Sequence, residues 1–280
     1  MKKSAKNTKQ KDALPPVEKK MIEADNKVQS IVNPAPTIAL IYITGESPMV
    51  EQYAEICAMH GFNVCISWNE PPEQKPEFKS DNIKISNTIP ADTSVTMELT
   101  NIDQFQKRKN LEKIDKALPD TAPILSSSIT VTATEQSLWI LHRHRLVGVS
   151  ALPTFIEKPL VEVALTIYSP RETLEVVSRF FTAIGKKIEI VQDRIGMVLP
   201  RILCQVINEA AFAITEDIAT PQDIDTALRL GVYFPLGPIE LAKKIGFKQV
   251  YAVLDSIHTD LQEERYRVAP LLKQIAITNK

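Results

Sequence analysis

The chain has 280 residues, 44% of them apolar, and a formal charge of -1. That is enough apolar material for one large core or two modest ones, and the near-neutral charge offers no field to gather nucleic acid. Cys57, Cys65 and Cys204 are too few and too scattered for a disulfide framework, and His60, His142, His144 and His258 lack metal-ligand spacing, so the expectation is a reducing, cytoplasmic setting and no metal. No apolar run is long enough to span a bilayer or to serve as a secretory leader, which predicts a soluble protein without a membrane partner.

Residues 1–35 read as a disordered Lys/Pro-rich tail, because seven lysines in its first twenty residues and little apolar surface leave nothing to offset the entropy of ordering. Thr37 to Ile43 is a buried-strand run, Gly45 permits a tight turn, and Met49, Tyr53, Ile56 and Cys57 recur at helical spacing up to His60. Gly61 then ends the helix and Phe62 to Ile66 forms a second strand, giving a strand–helix–strand unit. A polar loop over 70–82 leads to short strands at Ile83, Ile85 and Val95 to Leu99. The next helix, 102–118, turns Phe105, Leu111, Ile114 and Leu118 inward. A strand end at Ile124 to Ser126, a helix near Thr134 to His142, a basic surface turn through Arg143 and Arg145, and strands at 145–149 and 160–165 follow. Ser169-Pro170 opens a helix that runs to Gly185, and Lys187 to Val191 is the last sheet strand.

Beyond Gly196 the pattern is helical. Leu199 to Glu216 is apolar enough to predict burial on most sides, and Thr220-Pro221 and Pro238 open further helices before Phe247 to Leu261 and a short segment from Pro270. The fold class is therefore α/β followed by all-α: a Rossmann-like domain over 36–192 and a helical domain over 193–280.

Several segments carry a resemblance. Thr220-Pro221-Gln222-Asp223-Ile224-Asp225-Thr226-Ala227, Gly231, Phe234-Pro235-Leu236-Gly237-Pro238-Ile239-Glu240-Leu241, Arg265 to Leu272 and Leu160-Val161-Glu162-Val163 are similar to the 3-hydroxyacyl-CoA dehydrogenase family, including 3-hydroxybutyryl-CoA dehydrogenases. The resemblance implies an NAD-binding Rossmann domain, a dimerising helical domain of the 6-phosphogluconate-dehydrogenase type, and an acyl-CoA cleft between them. It also implies hydride transfer between a 3-hydroxyacyl thioester and NAD, within fatty acid metabolism.

The motif positions depart from the family. Close approach of a pyrophosphate needs glycines at G-x-G-x-x-G spacing; here the six residues are Gly45-Glu46-Ser47-Pro48-Met49-Val50, and only Gly45 remains. Trp68 stands where the ribose-binding carboxylate belongs, with Asn69 and Glu70 next to it, and Ile102 replaces a glutamate at the nicotinamide end. Lys107 falls where the family keeps a lysine near the nucleotide, although a lysine on a helix is more often solvated. Ser150 occupies the place of the catalytic histidine and has no base of its own to activate it. Glu162, which orients that histidine in the family, is retained, while Pro153 and Pro200 stand at two asparagine positions. Ser128 and Thr130 flank the substrate-serine position, which holds Ile129.

From these losses the expected function is a 3-hydroxyacyl-CoA dehydrogenase-like pseudoenzyme, a structural, partner or acyl-CoA-binding protein with no cofactor. The alternative is an active NAD(P)-dependent 3-hydroxyacyl-CoA oxidoreductase with a rearranged active site that binds NAD(H). The expected partners are a second copy through the helical domain, or an active relative in a heteromer, with no nucleic acid.

Overall fold

The computed structural model describes residues 39–70 and 76–278, so the expected tail lies outside the described residues. Strand β1 (Leu40–Gly45) alternates its side chains between two faces, as strand geometry demands. Ile41 and Ile43 meet helix α1 (Met49–Met59), while Tyr42 faces helix α2 (Gln104–Ala117) on the other side. Strands β2 (Asn63–Trp68), β3 (Ile83–Ile85), β4 (Val95–Leu99), β5 (Ile124–Ser127) and β6 (Leu146–Val149) join β1 in parallel. Helix α3 (Ala133–Ser137) is only a short turn between β5 and β6, where a longer one was predicted.

Strand β7 (Leu160–Leu165) runs antiparallel to β6, and β8 (Lys187–Val191) is parallel to β7. The sheet order is β3-β2-β1-β4-β5-β6-β7-β8. Its sequence reverses direction between β1 and β4, the switch point outside which α/β proteins bind ligands. Helix α4 (Arg171–Ala183) covers the α1 face with Val177, Phe180 and Phe181. These elements are a Rossmann-like domain.

The second domain is mostly helical: α5 (Leu199–Thr215), α6 (Pro221–Gly231), α7 (Pro238–Ile245), α8 (Phe247–Leu261) and α9 (Pro270–Thr278). Cys204, Ile207 and Ala211 of α5 pack with Val253, Leu254 and Ile257 of α8. Most of α5 is buried or half-buried, and Ile202, Glu209 and Thr215 are its exposed residues. Phe105, expected inside α2, is also exposed.

Two carboxylates stitch the domains together. Glu162 of β7 accepts from the Val198 and Leu199 N–H groups at 2.9 and 2.7 Å, so it caps α5. Asp193, on the crossover, accepts from the Ala133 and Thr134 N–H groups at 2.8 and 2.7 Å and caps α3 in return. Each carboxylate satisfies helix N–H groups that would otherwise lack partners.

Candidate functional site at the carboxyl edge of the sheet

Strands β1, β4 and β5 end side by side, and the residues following them converge. Asn101, two residues past β4, is buried. Its amide donates to the Ala151 carbonyl and to Gln249 Oε1, both at 2.9 Å, and its Oδ1 accepts from Ser127 Oγ at 2.6 Å. Gln249 belongs to α8, so this network crosses from one domain to the other. Below it, Glu98 of β4 pairs with Lys107 of α2 at 2.5 Å and accepts from Asn110 and Ser126. Lys107 also donates to the Thr100 carbonyl at 2.7 Å.

Lys107 is fully buried. The solvated reading of it fails because Lys107, Leu111, Ile114 and Leu118 share the inward face of α2, and Glu98 neutralises the charge. A second charged cluster lies at the opposite, amino edge. Asp115 accepts from Arg145 at 3.0 Å and from His142 Nδ1 at 3.1 Å. Arg145 is buried and donates to the Ile114, Leu118 and Pro119 carbonyls, so it closes the C-terminus of α2 rather than forming a basic surface turn.

The other sequence candidates divide between the network and the framework. Thr130 Oγ1 donates to the Asn101 carbonyl at 2.9 Å and thereby joins the site. Ser128 is held between the Ser126 carbonyl and Gln136, and its side chain packs where a Cβ on Gly148 would sit. Ser150 and Glu162 are neighbours through backbone bonds, with the Glu162 N–H donating to Ser150 Oγ at 3.3 Å, but the Glu162 carboxylate is committed to α5. Gly45 is required by the sheet itself: with φ +142° its added Cβ would stand 2.5 Å from the Leu99 backbone. Pro200 lies in the first turn of α5, where a missing N–H costs nothing. The sequence reading missed Asn101, Ser127 and Gln249. Asn101 had one legible signal, its place just beyond a strand at the switch point.

A groove of about 280 Å³ runs from the end of β1 and β2 along α2, lined by Thr44, Ser67, Trp68, Gln106, Lys109, Asn110 and Lys113. Asn69 and Asn110 bond to each other at 2.8 Å beside it, and Trp68 Nε1 donates to Glu51 at 2.9 Å. An indole, amides and two ammonium groups at this position fit the aromatic base and ribose of a dinucleotide's adenosine half. Glu46, the residue after Gly45, turns its carboxylate to the backbone N–H groups of Asn101, Ile102 and Asp103. Burial pushes its pKa above the usual carboxylate value, against those hydrogen bonds.

A Rossmann-like sheet followed by a mostly helical domain makes a two-domain fold. The profile described as 3-hydroxyacyl-CoA dehydrogenase, C-terminal domain matches residues 196–280. A 3-hydroxybutyryl-CoA dehydrogenase of Bradyrhizobium diazoefficiens is 28% identical over 182 residues, 65% of this chain and 62% of that protein. A probable 3-hydroxybutyryl-CoA dehydrogenase of Bacillus subtilis is 28% identical over 202 residues, 71% of this chain and 70% of that protein. The crystal structure of (S)-3-hydroxybutyryl-CoA dehydrogenase from Ralstonia eutropha superposes with a TM-score of 0.71 at 24% identity, covering 86% of this chain and 94% of that one. Residues 196–280 thus match the C-terminal domain of 3-hydroxyacyl-CoA dehydrogenases, and the chain is similar to 3-hydroxybutyryl-CoA dehydrogenases over about two thirds of its length.

Two sequence expectations are corrected here. The pseudoenzyme reading counted losses at single motif positions; the structure instead keeps a buried polar network at the switch point, Asn101–Ser127 with Glu98 and Lys107 beside it, in a chain similar to dehydrogenases. The expectation of no cofactor falls with it, because a Rossmann sheet and similarity to dehydrogenases support NAD(H) binding. Among the described residues no helix is long and apolar enough to cross a membrane.

Proposed function

We propose that the protein is an NAD(P)-dependent oxidoreductase that interconverts 3-hydroxyacyl and 3-oxoacyl thioesters of coenzyme A with a rearranged active site. The observation that carries this reading is the buried Ser127–Asn101–Gln249 network at the switch point, beside a groove of adenosine size. A buried polar network shared by two domains orients its members better than solvent does, and oriented donors are what a developing alkoxide or carbonyl oxygen requires. The bound nicotinamide supplies the hydride chemistry. Thr44, Trp68, Asn69, Asn110, Lys109 and Lys113 would hold its adenosine half.

In this reading Asn101 and Ser127 hold the substrate oxygen, and the Glu98–Lys107 pair fixes the strand end that carries Asn101. Ser150 is no imidazole and the Ser127–Asn101 pair holds no titratable base, so these residues orient the substrate oxygen and the alcohol proton passes to water. Glu162 contributes by placing α5. Similarity to 3-hydroxybutyryl-CoA dehydrogenases supports a short acyl chain.

The domain boundary belongs at residues 192–193, just before Asp193. The helical domain joins a second copy, since Ile218, Leu230, Val232 and Tyr233 leave an exposed apolar patch that self-association would cover. A cytoplasmic setting suits three buried free thiols. The deciding experiment follows NADH oxidation by the purified chain with acetoacetyl-CoA. Turnover that falls at least about 100-fold in Asn101→Ala, the usual scale for losing an oriented donor, supports the reading. The absence of turnover with either NADH or NADPH overturns it.

A further inference from the structure

Glu46 follows the conserved-type turn glycine Gly45, yet its carboxylate reaches across the cleft. Oε1 accepts from the Ile102 and Asp103 N–H groups at 2.8 and 3.3 Å. Oε2 accepts from the Asn101 N–H at 3.2 Å and from Gln249 Nε2 at 2.7 Å. Gln249 is thus used at both ends: its NH2 faces the Glu46 carboxylate and its oxygen faces the Asn101 amide. Donor and acceptor chemistry permits only that orientation, because a flipped amide would set oxygen against carboxylate and NH2 against NH2.

The arrangement has three consequences. Three successive N–H groups of the β4–α2 loop already hold a negative group. That group belongs to the first turn after β1, so the turn and the β4–α2 loop are tied together over the path joining the two halves of a dinucleotide. The helical domain is tied into the same knot through Gln249, while Asn101, the central donor of the site, is 2% exposed and saturated. A substrate has no access to Asn101 until the knot opens.

We propose that Glu46 is a built-in anion that latches the cleft shut through Gln249 and Asn101, and that an entering dinucleotide must displace it from the amides of the β4–α2 loop. The inference rests on the proposed dinucleotide site and names its control. Charge-assisted hydrogen bonds are the strong ones, so the competition between carboxylate and ligand is substantial. Releasing Glu46 frees Gln249 and exposes Asn101 in the same event, coupling cofactor entry to assembly of the substrate site.

The test compares NADH binding, by fluorescence titration, with hydrogen–deuterium exchange in the full-length wild type, Glu46→Ala and Gln249→Ala. Glu46→Ala is expected to bind NADH about tenfold tighter or more, the scale of a lost charge-assisted competitor. Gln249→Ala is expected to speed exchange in the first turn of α8 and at residues 101–103, with a smaller gain in affinity. Equal NADH affinity in all three proteins, with unchanged exchange, overturns the latch and leaves the cofactor reading standing. Faster exchange in both variants with no NADH binding in any protein supports the latch and removes the cofactor reading. If Glu46→Ala does not fold, the Gln249→Ala exchange pattern decides alone, and wild-type protection at α8 and residues 101–103 sinks the proposal.

Discussion

Lys107 and Glu98 are both fully buried, a pairing that stands only while each neutralises the other. Removing one partner of such a pair strands the other charge in the interior and costs about 3–5 kcal/mol, whereas replacing both with apolar residues is often close to neutral. Lys107→Ala should therefore lower the denaturant midpoint sharply, and Lys107→Met with Glu98→Leu should recover most of the loss; equal losses in the two would contradict the account. The burial of Lys107 had a legible cue, its shared face with Leu111 and Ile114. Arg145 had none, because its partner Asp115 is thirty residues away and only the folded chain joins them. Long cationic side chains default to solvent, and a local pattern cannot announce a distant counter-charge. The thiols follow the same logic of burial: Cys204 is pushed up to about 12, and Cys57 and Cys65 are also raised. A disulfide reagent at pH 8 should label no cysteine in the native protein and all three after unfolding.

At the scale of elements, most strands and helices were readable from periodicity, and the exceptions have physical causes. The predicted helix at 134–142 shrank to α3: Thr132 caps its start at the Glu135 N–H, and beyond its end Asp115 takes the Leu141 N–H, so the chain turns towards β6. The direction of β7 was invisible, since alternation reports which face is buried and not which way a strand runs. The candidate site was half legible for a related reason. Motif positions located the cleft, but the polar groups filling it come from residues beside the motif. Glu162 shows the difference: a residue expected in catalysis instead caps α5. Glu162→Ala should destabilise the protein by about 1–2 kcal/mol through loss of that cap, and Glu162→Gln should lose less because its oxygen still accepts. Thermal unfolding distinguishes this from a purely catalytic role, which would leave stability unchanged.

For the molecule as a whole, exposed apolar residues occur on both domains, and on the helical one Ile218, Leu230, Val232 and Tyr233 are among them. Leu230 is 74% and Tyr233 88% exposed. If this face joins two copies, Leu230→Glu with Tyr233→Glu should convert a dimer to a monomer in light scattering while circular dichroism is preserved. A wild type already monomeric at micromolar concentration would remove the interface.

The reciprocal carboxylates at the crossover have a consequence for how the chain can be divided. Glu162 lends its charge forward to α5, and Asp193 lends its charge back to α3. A cut between residues 165 and 193 leaves each fragment carrying a helix whose anion resides on the other, so neither piece is self-sufficient at the seam. Heat should consequently melt the intact chain in one calorimetric peak, and mixing two separately made fragments should restore protection at both seams together, never at one alone.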